Sequence, residues 1–342
     1  MAAYISFQPS DYYNTKLYTG TSAEHSVTGV GFQPGFTWIK RRDGTYNHNV
    51  YDAVRGVTKE LNPNTNDDTS TVAQGLTAFG ADGFTLGTDD QSNASGDTFV
   101  SWNWKAGTTT GIGGSPSITP SGYSFNATSG FSIVTWAGTG SAGTLPHGLG
   151  VAPQMIIIKK TSANLNWLQG NEGAGWTRNW IFNEAEGIST NTFYNDTAPT
   201  STVFSVDGDN MVNASGSDYI AYVWAPVKGY SAFGKYIGNG NADGPFIYTG
   251  FRPAWVMVKR FATGVNWQVM DNKRLGYNED NYSLYPNNTA ADNTDKNTNL
   301  LSNGFKQIST EANDNTSSGE YQYSAFAECP FVNSSGVPGN GR

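Results

Sequence analysis

The chain has 342 residues, of which 41 are glycine, 13% are aromatic and only 14% are charged. Few charges, many aromatic side chains and many turn-forming residues are typical of an all-β protein with numerous loops, and they argue against a helical or disordered chain. The formal net charge of −8 argues against binding to nucleic-acid phosphates, which requires a clustered basic surface.

The start of the chain, MAAYISFQPSDYYNTK, has neither the basic nor the apolar region of a signal peptide. No apolar run approaches the ~20 residues of a membrane helix. The single cysteine, Cys329, leaves no partner for an intrachain disulfide and excludes a cysteine-based metal site. We therefore expect a soluble protein that is made in a cytoplasm and is not inserted in a membrane.

One phrase occurs three times, as GFQPGFTWIK (31–40), GVAPQMIIIK (150–159) and GFRPAWVMVK (250–259). Other landmarks keep the same order and nearly the same spacing around each copy, which predicts three diverged repeats. These landmarks are Gly20, Gly138 and Gly238; His48, Trp167 and Trp267; Asp52, Asn171 and Asp271; Gly96, Gly216 and Gly319; and the aromatic pairs Phe99/Trp102, Tyr219/Tyr222 and Tyr323/Phe326.

The repeats predict an all-β fold of three tandem β-sandwich domains with jelly-roll-like topology. Their predicted ranges are 1–106, 123–229 and 230–342, the first with an N-terminal segment and the last with a short C-terminal tail. Glycine, serine, threonine and proline dominate residues 107–122, which is typical of a flexible linker.

The repeated phrase itself predicts a β-strand. Its alternating residues are apolar on both faces, which indicates a strand covered on both sides. Proline opens the strand, and Lys40, Lys159 or Lys259 closes it, with the stem on apolar surface and the amino group in water. A catalytic or anion-binding lysine would need burial and a partner, and the sequence shows neither.

Turn signals follow each of these strands. The aspartate or asparagine twelve residues after the lysine is expected to start a turn through its own side chain. Arg55 and Arg274 follow Asp52 and Asp271 by three residues, which predicts surface ion pairs of small energetic value. Hairpins are expected at Asp82-Gly83, Asp207-Gly208 and Asn303-Gly304.

No pattern for catalysis or metal binding withstands inspection. GTGSAG (138–143) matches G-x-G-x-x-G, but the sequence after it cannot begin a helix. The three histidines, at non-equivalent positions, lack zinc-site spacing, and no nucleophile elbow is present. Carboxylate pairs in loops leave glycan cleavage as a distant alternative. We predict a protein that is not an enzyme and has no cofactor and no metal site. The histidines are His25, His48 and His147, and the carboxylate pairs are Asp67/Asp68 and Asp89/Asp90.

Aromatic residues in loops are candidates for stacking on sugars or on a partner protein, although each of them could instead pack in the core. The candidate binding residues are Trp176, Trp180, Tyr277, Tyr282 and Tyr285.

Several long phrases resemble a family of repeat-bearing virion proteins from tailed bacteriophages, the tail fibre-like proteins of marine phages and cyanophages. They include AAYISFQPSDYYNTKLYTGT, VTGVGFQPGFTWIKRRD, NASGDTFVSWNWKAG and GYSAFGKYIGNGNADGPFIYTGFRPAWVMVKR. The resemblance implies a virion component on a fibre, tail or capsid exterior, assembled in the host cytoplasm with other virion proteins.

Together with the repeats, this resemblance leads us to expect a non-enzymatic structural protein that contributes to host attachment as a homo-oligomer, a trimer. A glycan-binding adhesin that recognises host surface polysaccharide and a capsid decoration protein are the alternatives.

Overall fold

The structure is a computed structural model that describes residues 5–275, 278, 281–295 and 297–331. In this part of the chain, antiparallel β-sheets are joined by turns, with one short 3-10 turn (Pro9–Asp11) and one single-turn helix, α1 (Asp90–Asn93). The predicted all-β class is confirmed. No helix among the described residues is long and apolar enough to cross a membrane.

The strands fall into three consecutive groups, which we call the first, second and third unit. The first unit contains β1 (Tyr13–Thr19), β2 (His25–Thr28), β3 (Phe36–Arg41), β4 (His48–Asp52), β5 (Lys59–Glu60), β6 (Ser70–Thr71), β7 (Leu76–Gly80), β8 (Gly83–Leu86) and β9 (Thr98–Trp104). The second contains β10 (Gly122–Asn126), β11 (Phe131–Ala137), β12 (Gly143–Pro146), β13 (Met155–Lys160), β14 (Leu168–Asn171), β15 (Arg178–Ile181), β16 (Ser189–Thr190), β17 (Val203–Val206) and β18 (Asp218–Trp224). The third contains β19 (Ser231–Ile237), β20 (Phe246–Tyr248), β21 (Phe251–Arg260), β22 (Gln268–Asp271), β23 (Ser283–Leu284), β24 (Thr298–Leu301), β25 (Gly304–Gln307) and β26 (Glu320–Pro330).

Each unit has an inner sheet and a smaller outer sheet. The inner sheets contain the orders β1-β9-β3-β4, β11-β18-β13-β14 and β19-β26-β21-β22, and the outer sheets have the orders β2-β8-β7, β12-β17 and β20-β25-β24. The strand of the repeated phrase is therefore β3, β13 or β21. It lies between two other strands in every copy, as its two apolar faces predicted.

The inner sheets bury both of their faces. One face of each packs on the outer sheet of the same unit over a local apolar cluster. The opposite faces of all three inner sheets meet in one shared cluster, which contains Trp38 and Trp104, Trp224, and Trp255. Aromatic rings pack edge to face there, with the centroids of Trp104 and Trp255 5.6 Å apart. The three units thus share a core in addition to their own.

Loops close the three units into a ring. In each seam, the loop after the strand of the repeated phrase donates a backbone N–H to a loop carbonyl of another unit. The pairs are Leu165 to Asn66 (2.7 Å), Val265 to Ala185 (3.2 Å) and Tyr46 to Thr289 (3.1 Å). The second unit therefore contacts the first, the third contacts the second, and the first contacts the third. An ion pair between Arg42 and Asp292, 2.8 Å long, reinforces the last of these seams.

The segment 107–122, predicted as a flexible linker, packs on the second unit. Its Ile118 side chain is buried and its Ile118 N–H donates to the Thr144 carbonyl of β12 at 3.0 Å. Further back, the backbones of Thr108 and Phe125 exchange two hydrogen bonds of 2.9 Å. The Ile118 contact covers the edge of the outer sheet at β12, and the Thr108 contact covers the edge of the inner sheet at β10.

Steric crowding explains the recurring aromatic-x-Gly phrase. A Cβ atom at Gly20 would lie 2.1 Å from the Ala94 carbonyl oxygen, and a backbone oxygen would lie 2.1 Å from one at Gly138 and 2.4 Å from one at Gly238. The backbone that approaches these glycines belongs to a turn held by a buried asparagine. The side-chain oxygen of the asparagine accepts the backbone N–H of the residue that follows the glycine. The side-chain NH2 group of the asparagine donates to a backbone carbonyl two residues further along that loop. The asparagines are Asn93, Asn213 and Asn315.

The sequence analysis aligned Gly319 with Gly96 and Gly216, and this alignment was wrong at the turn before β26. Gly20 N–H donates to the Asp97 carbonyl, whereas Gly238 N–H donates to that of Gly319. Ser318, with φ of 59°, therefore occupies the left-handed position that Gly96 holds in the first unit. A serine there hid the correct register, because glycine is the usual residue at positive φ.

The aromatic landmarks of the third unit shift accordingly. Tyr321 stacks on Tyr236 with the ring centroids 5.0 Å apart, as Phe99 stacks on Tyr18. In the structure, Tyr321 and Ser324 correspond to Phe99 and Trp102 of the first unit. The predicted pair, Tyr323 and Phe326, therefore lies two residues too far along the chain.

Two of the three predicted hairpins are confirmed. Asp82 lies in the β7–β8 turn and Asn303 in the β24–β25 turn. The Asp207-Gly208 prediction was wrong, because this pair follows β17 instead of preceding it. The chain enters β17 through a turn in which Thr200 N–H donates to the Val203 carbonyl at 2.9 Å.

Candidate functional site

The three repeated lysines are buried, so the prediction that their amino groups lie in water was wrong. Lys40, Lys159 and Lys259 are all inaccessible to solvent. The loop after each strand folds over the ammonium group. Nζ donates to a loop carbonyl in each copy, at 2.7 Å for Lys159 and Leu165. Burial lowers the pKa of Lys40 and Lys159 to about 8 and that of Lys259 to about 7. Because loop carbonyls hold each amino group, we assign the lysines to the scaffold.

The predicted surface ion pairs are also buried. Asp271 and Arg274 are completely inaccessible and their Oδ2 and Nε atoms are 2.6 Å apart; Asp52 and Arg55 form the same contact. Burial opposes ionisation of Asp271, but Arg274 outweighs it and lowers the pKa of the carboxyl group. Asp271 Oδ1 accepts the backbone N–H of Arg274 at 2.9 Å, which confirms the predicted side-chain turn. Sequence spacing alone could not show that other units cover these pairs.

The aromatic residues predicted to bind ligands lie in different environments. Trp180 is fully buried in β15 and donates to the Arg260 carbonyl at 3.3 Å. Trp176 is buried against Tyr194 and donates to Glu172 at 2.6 Å. Neither tryptophan has a free ring face in this structure.

The predicted tyrosines offer less surface than a loop tip would. Tyr282 and Tyr285 are half-buried, and the hydroxyl group of Tyr285 bonds to the amide of Asn293. Tyr277 lies outside the described residues.

The three histidines and Asp89 are engaged in structural contacts, whereas Asp67 and Asp68 are exposed. His48 accepts the indole N–H of Trp38 at 3.0 Å and donates to the Tyr285 carbonyl at 3.1 Å, and burial lowers its pKa well below the usual value. Asp89 accepts the Ser92 hydroxyl at 3.0 Å, and burial raises the pKa of its carboxyl group. Among the residues that the structure describes, no group of three or more histidine, cysteine, aspartate or glutamate side chains could hold a metal ion.

Two large aromatic side chains are exposed on the outer sheet of the third unit. Phe246 is 46% exposed and Tyr248 is 59% exposed, on the same face of β20. Lys306, opposite Phe246 on β25, forms an ion pair with Asp243. We call these four residues the third-unit face. This face was not predicted from the sequence. All three residues of the strand FIY are apolar, so the pattern does not show which side of the strand is exposed.

The third-unit face has no counterpart in the other two units. The strand registers place Ser26 and Thr28 of the first unit at the positions of Phe246 and Tyr248. In the second unit the position of Phe246 is held by Thr144, whose strand edge is covered by the segment 107–122. The fold itself therefore does not require aromatic side chains at these positions.

A groove runs along the seam between the first and third units. It consists of two adjoining clefts of about 210 and 370 Å³ that share Asn14, Thr15 and Lys273 as lining residues. Tyr13 and Asn272 line the smaller cleft. We call this feature the seam groove. Its lining includes polar and charged side chains such as Asn14, Thr15 and Lys273, whereas the cluster at the centre of the molecule is apolar.

A family model described as a domain of unknown function (DUF7483) matches residues 8–330, a range that includes all the strands described above. No curated protein matches the chain, and no solved structure matches it.

Proposed function

This chain belongs to the DUF7483 family, and we propose that it is a non-enzymatic structural protein of a bacteriophage particle, tail fibre-like and carried on the exterior, that contributes to host attachment. The resemblance of its long sequence phrases to tail fibre-like virion proteins supports the proposal that it is a component of a phage particle. The arrangement of buried and exposed side chains supports attachment over catalysis.

The observation that carries the attachment role is the pair of exposed rings on the third-unit face. Large apolar side chains next to each other on a strand are costly to leave in water and commonly mark a binding surface. Phe246 and Tyr248 project from an ordered outer sheet, so little conformational entropy is lost when a partner covers them. Aromatic rings bind the apolar faces of sugars, and the neighbouring Lys306 and Asp243 can bond to hydroxyl groups.

The buried polar groups that recur between the units serve the scaffold. Buried lysines, Asp–Arg pairs and asparagine-held turns are each engaged in hydrogen bonds that join strands, loops or units. A rigid body of this kind presents a surface without changing shape. In a homo-oligomer, for which we propose a trimer, several weak contacts would act together.

The attachment role is tested with labelled purified protein on host cells. The double variant Phe246→Ser, Tyr248→Thr introduces the polar residues of the first unit, Ser26 and Thr28, at both positions, and it should lower cell binding about tenfold. The variant Ser26→Ala changes the equivalent position of the first unit and should bind like the wild type. Equal binding by the double variant and the wild type would refute the role of the third-unit face.

The particle location is tested separately by cryo-electron microscopy of virions that carry a labelled copy of the protein. We expect the label on the exterior of the tail. A label on the capsid shell would instead identify a decoration protein, and absence of the protein from purified virions would refute the proposal.

A further inference from the structure

We propose that the seam groove binds an acidic saccharide, with a uronic acid as the chemical class of the bound sugar unit. The inference deepens the attachment role and rests on it only for the source of the ligand, an acidic polysaccharide at the host surface. Its evidence is independent of the third-unit face.

The first observation is a buried amide without a partner. Asn272 is only 3% exposed and lines the smaller cleft, yet its side-chain oxygen has no hydrogen-bond partner in the described part of the chain. Buried polar atoms are usually paired, because an unpaired one loses its hydration without compensation. A hydroxyl group of a sugar is a donor of the right kind.

The second observation is that the fold does not need this asparagine. Its backbone N–H donates to the Ala254 carbonyl at 2.8 Å, and the same bond is made by Ala53 in the first unit and Glu172 in the second. The three positions are therefore equivalent, and the following residues are Lys273, Val54 and Gly173. Only the seam between the third and first units combines an amide with a cation at this place.

The third observation is the charge of the groove. Lys273 is exposed and forms no ion pair with any residue that the structure describes, and Lys16 lines the same cleft. The one carboxylate of the lining, Glu328, is neutralised by Arg252 at 3.0 Å, while the charge of Lys16 also acts on Asp82. The groove is therefore locally cationic on a chain whose net charge is −8, and this local charge favours a carboxylate over a neutral ligand.

Two hydroxyl groups complete the site. The hydroxyls of Tyr13 and Thr15 are 2.7 Å apart on β1 and both residues line the smaller cleft. Each hydroxyl can donate and accept, so the pair can bond to sugar hydroxyls next to Asn272. In this arrangement Lys273 binds the carboxylate of the sugar, and the amide and hydroxyl groups bind its ring substituents.

The proposal is tested by isothermal titration of the full chain with hexagalacturonate, and with maltohexaose as the neutral probe. We expect binding of the acidic oligosaccharide that weakens with salt, and no measurable binding of the neutral one. Lys273→Val and Asn272→Ala introduce the residues that the first unit has at these positions. Each variant should weaken binding about tenfold, because each removes one hydrogen bond to a charged or buried group. Lys105→Ala alters a lysine in the cleft at the neighbouring seam and should leave binding unchanged.

The outcomes separate clearly. No binding of hexagalacturonate by the wild type, equal binding of both probes, or the same loss from Lys105→Ala as from Lys273→Val would overturn the inference. Thermal unfolding of each variant shows whether a loss of binding reflects misfolding. Because this titration needs neither cells nor virions, its failure would leave the cell-binding result of the third-unit face standing, and the reverse also holds.

Discussion

The hydroxyl group of Tyr222 in the second unit donates to the buried carboxylate of Asp52 in the first unit at 2.8 Å. Asp52 also binds Arg55 within its own unit, so one buried ion pair is shared across the seam. The equivalent contact joins the first and third units, where the indole N–H of Trp102 donates to Asp271 at 3.0 Å. Both contacts connect the turn of one unit to the inner sheet of another.

The third seam, between the second and third units, has neither the Asp–Arg ion pair nor an aromatic donor to the turn. The residue equivalent to Asp52 is Asn171, the position of Arg55 is held by Ala174, and Ser324 takes the place of Tyr222. The Ser324 hydroxyl contacts the sulfur atom of Met155 at 3.1 Å instead. At this position of the repeat, aspartate therefore occurs only in the two units where an arginine and a hydrogen-bond donor from another unit compensate its burial.

Replacing Tyr222 by phenylalanine should destabilise the whole chain. The variant removes a hydrogen bond to a buried charge, which costs about 1.5–3 kcal/mol in the free energy of unfolding. Chemical denaturation followed by tryptophan fluorescence measures the change. Tyr248→Phe is the matched control because its hydroxyl lies on an exposed ring, and it should leave stability unchanged. Equal stability of Tyr222→Phe and wild type would contradict the role assigned to this bond.

Breaking the Asp271–Arg274 pair should have a larger effect. Asp271→Ala leaves the guanidinium of Arg274 buried without its main partner, at a cost of about 3–5 kcal/mol in the free energy of unfolding. The double variant Asp271→Asn, Arg274→Ala reproduces the residues of the second unit and should recover most of the loss. If the double variant were as unstable as Asp271→Ala, the unpaired charge would not be the cause.

Local sequence patterns were sufficient for the central strands and insufficient for what lies beyond them. The alternation in GFQPGFTWIK depends on neighbours along the chain, and β3 was predicted from it correctly. The burial of Lys40 depends on how a later loop folds back, and the burial of Asp52 depends on another unit. Such long-range contacts leave no periodic signal in one sequence.

The candidate sites show the same limit. Trp180 was predicted as a loop residue, but it belongs to a short strand that other strands cover. Phe246 was not singled out from the sequence, because three consecutive apolar residues do not show which face of the strand is exposed. The seam groove was not predictable, because Tyr13 and Asn272 come together only when the first and third units meet.

The buried lysines predict a pH dependence of stability. Lys259 has a folded-state pKa of about 7 against an ordinary value of 10.5, so between these values the unfolded chain binds more protons than the folded one. The free energy of unfolding contributed by this group therefore rises with pH across that window, by up to about 1.4 kcal/mol per pH unit.

The variant Lys259→Met isolates the effect of this lysine, since other titrating groups are common to both proteins. The stability of the wild type relative to the variant should increase from pH 7 to pH 9 in denaturation experiments. Lys235→Met, at an exposed ion pair with Glu320, should show no such slope relative to the wild type. A difference between wild type and Lys259→Met that is constant with pH would contradict the lowered pKa.

The glycine of the aromatic-x-Gly phrase should tolerate no side chain. Gly20→Ala places a methyl group 2.1 Å from the backbone oxygen of Ala94, and the turn held by Asn93 must move to admit it. We expect a loss of about 3 kcal/mol in the free energy of unfolding. Gly113→Ala is the matched control, because a Cβ atom there meets no atom within 4 Å, and it should change stability by less than about 0.5 kcal/mol. If the two variants were equally stable in thermal unfolding, crowding would not explain why glycine recurs in all three units.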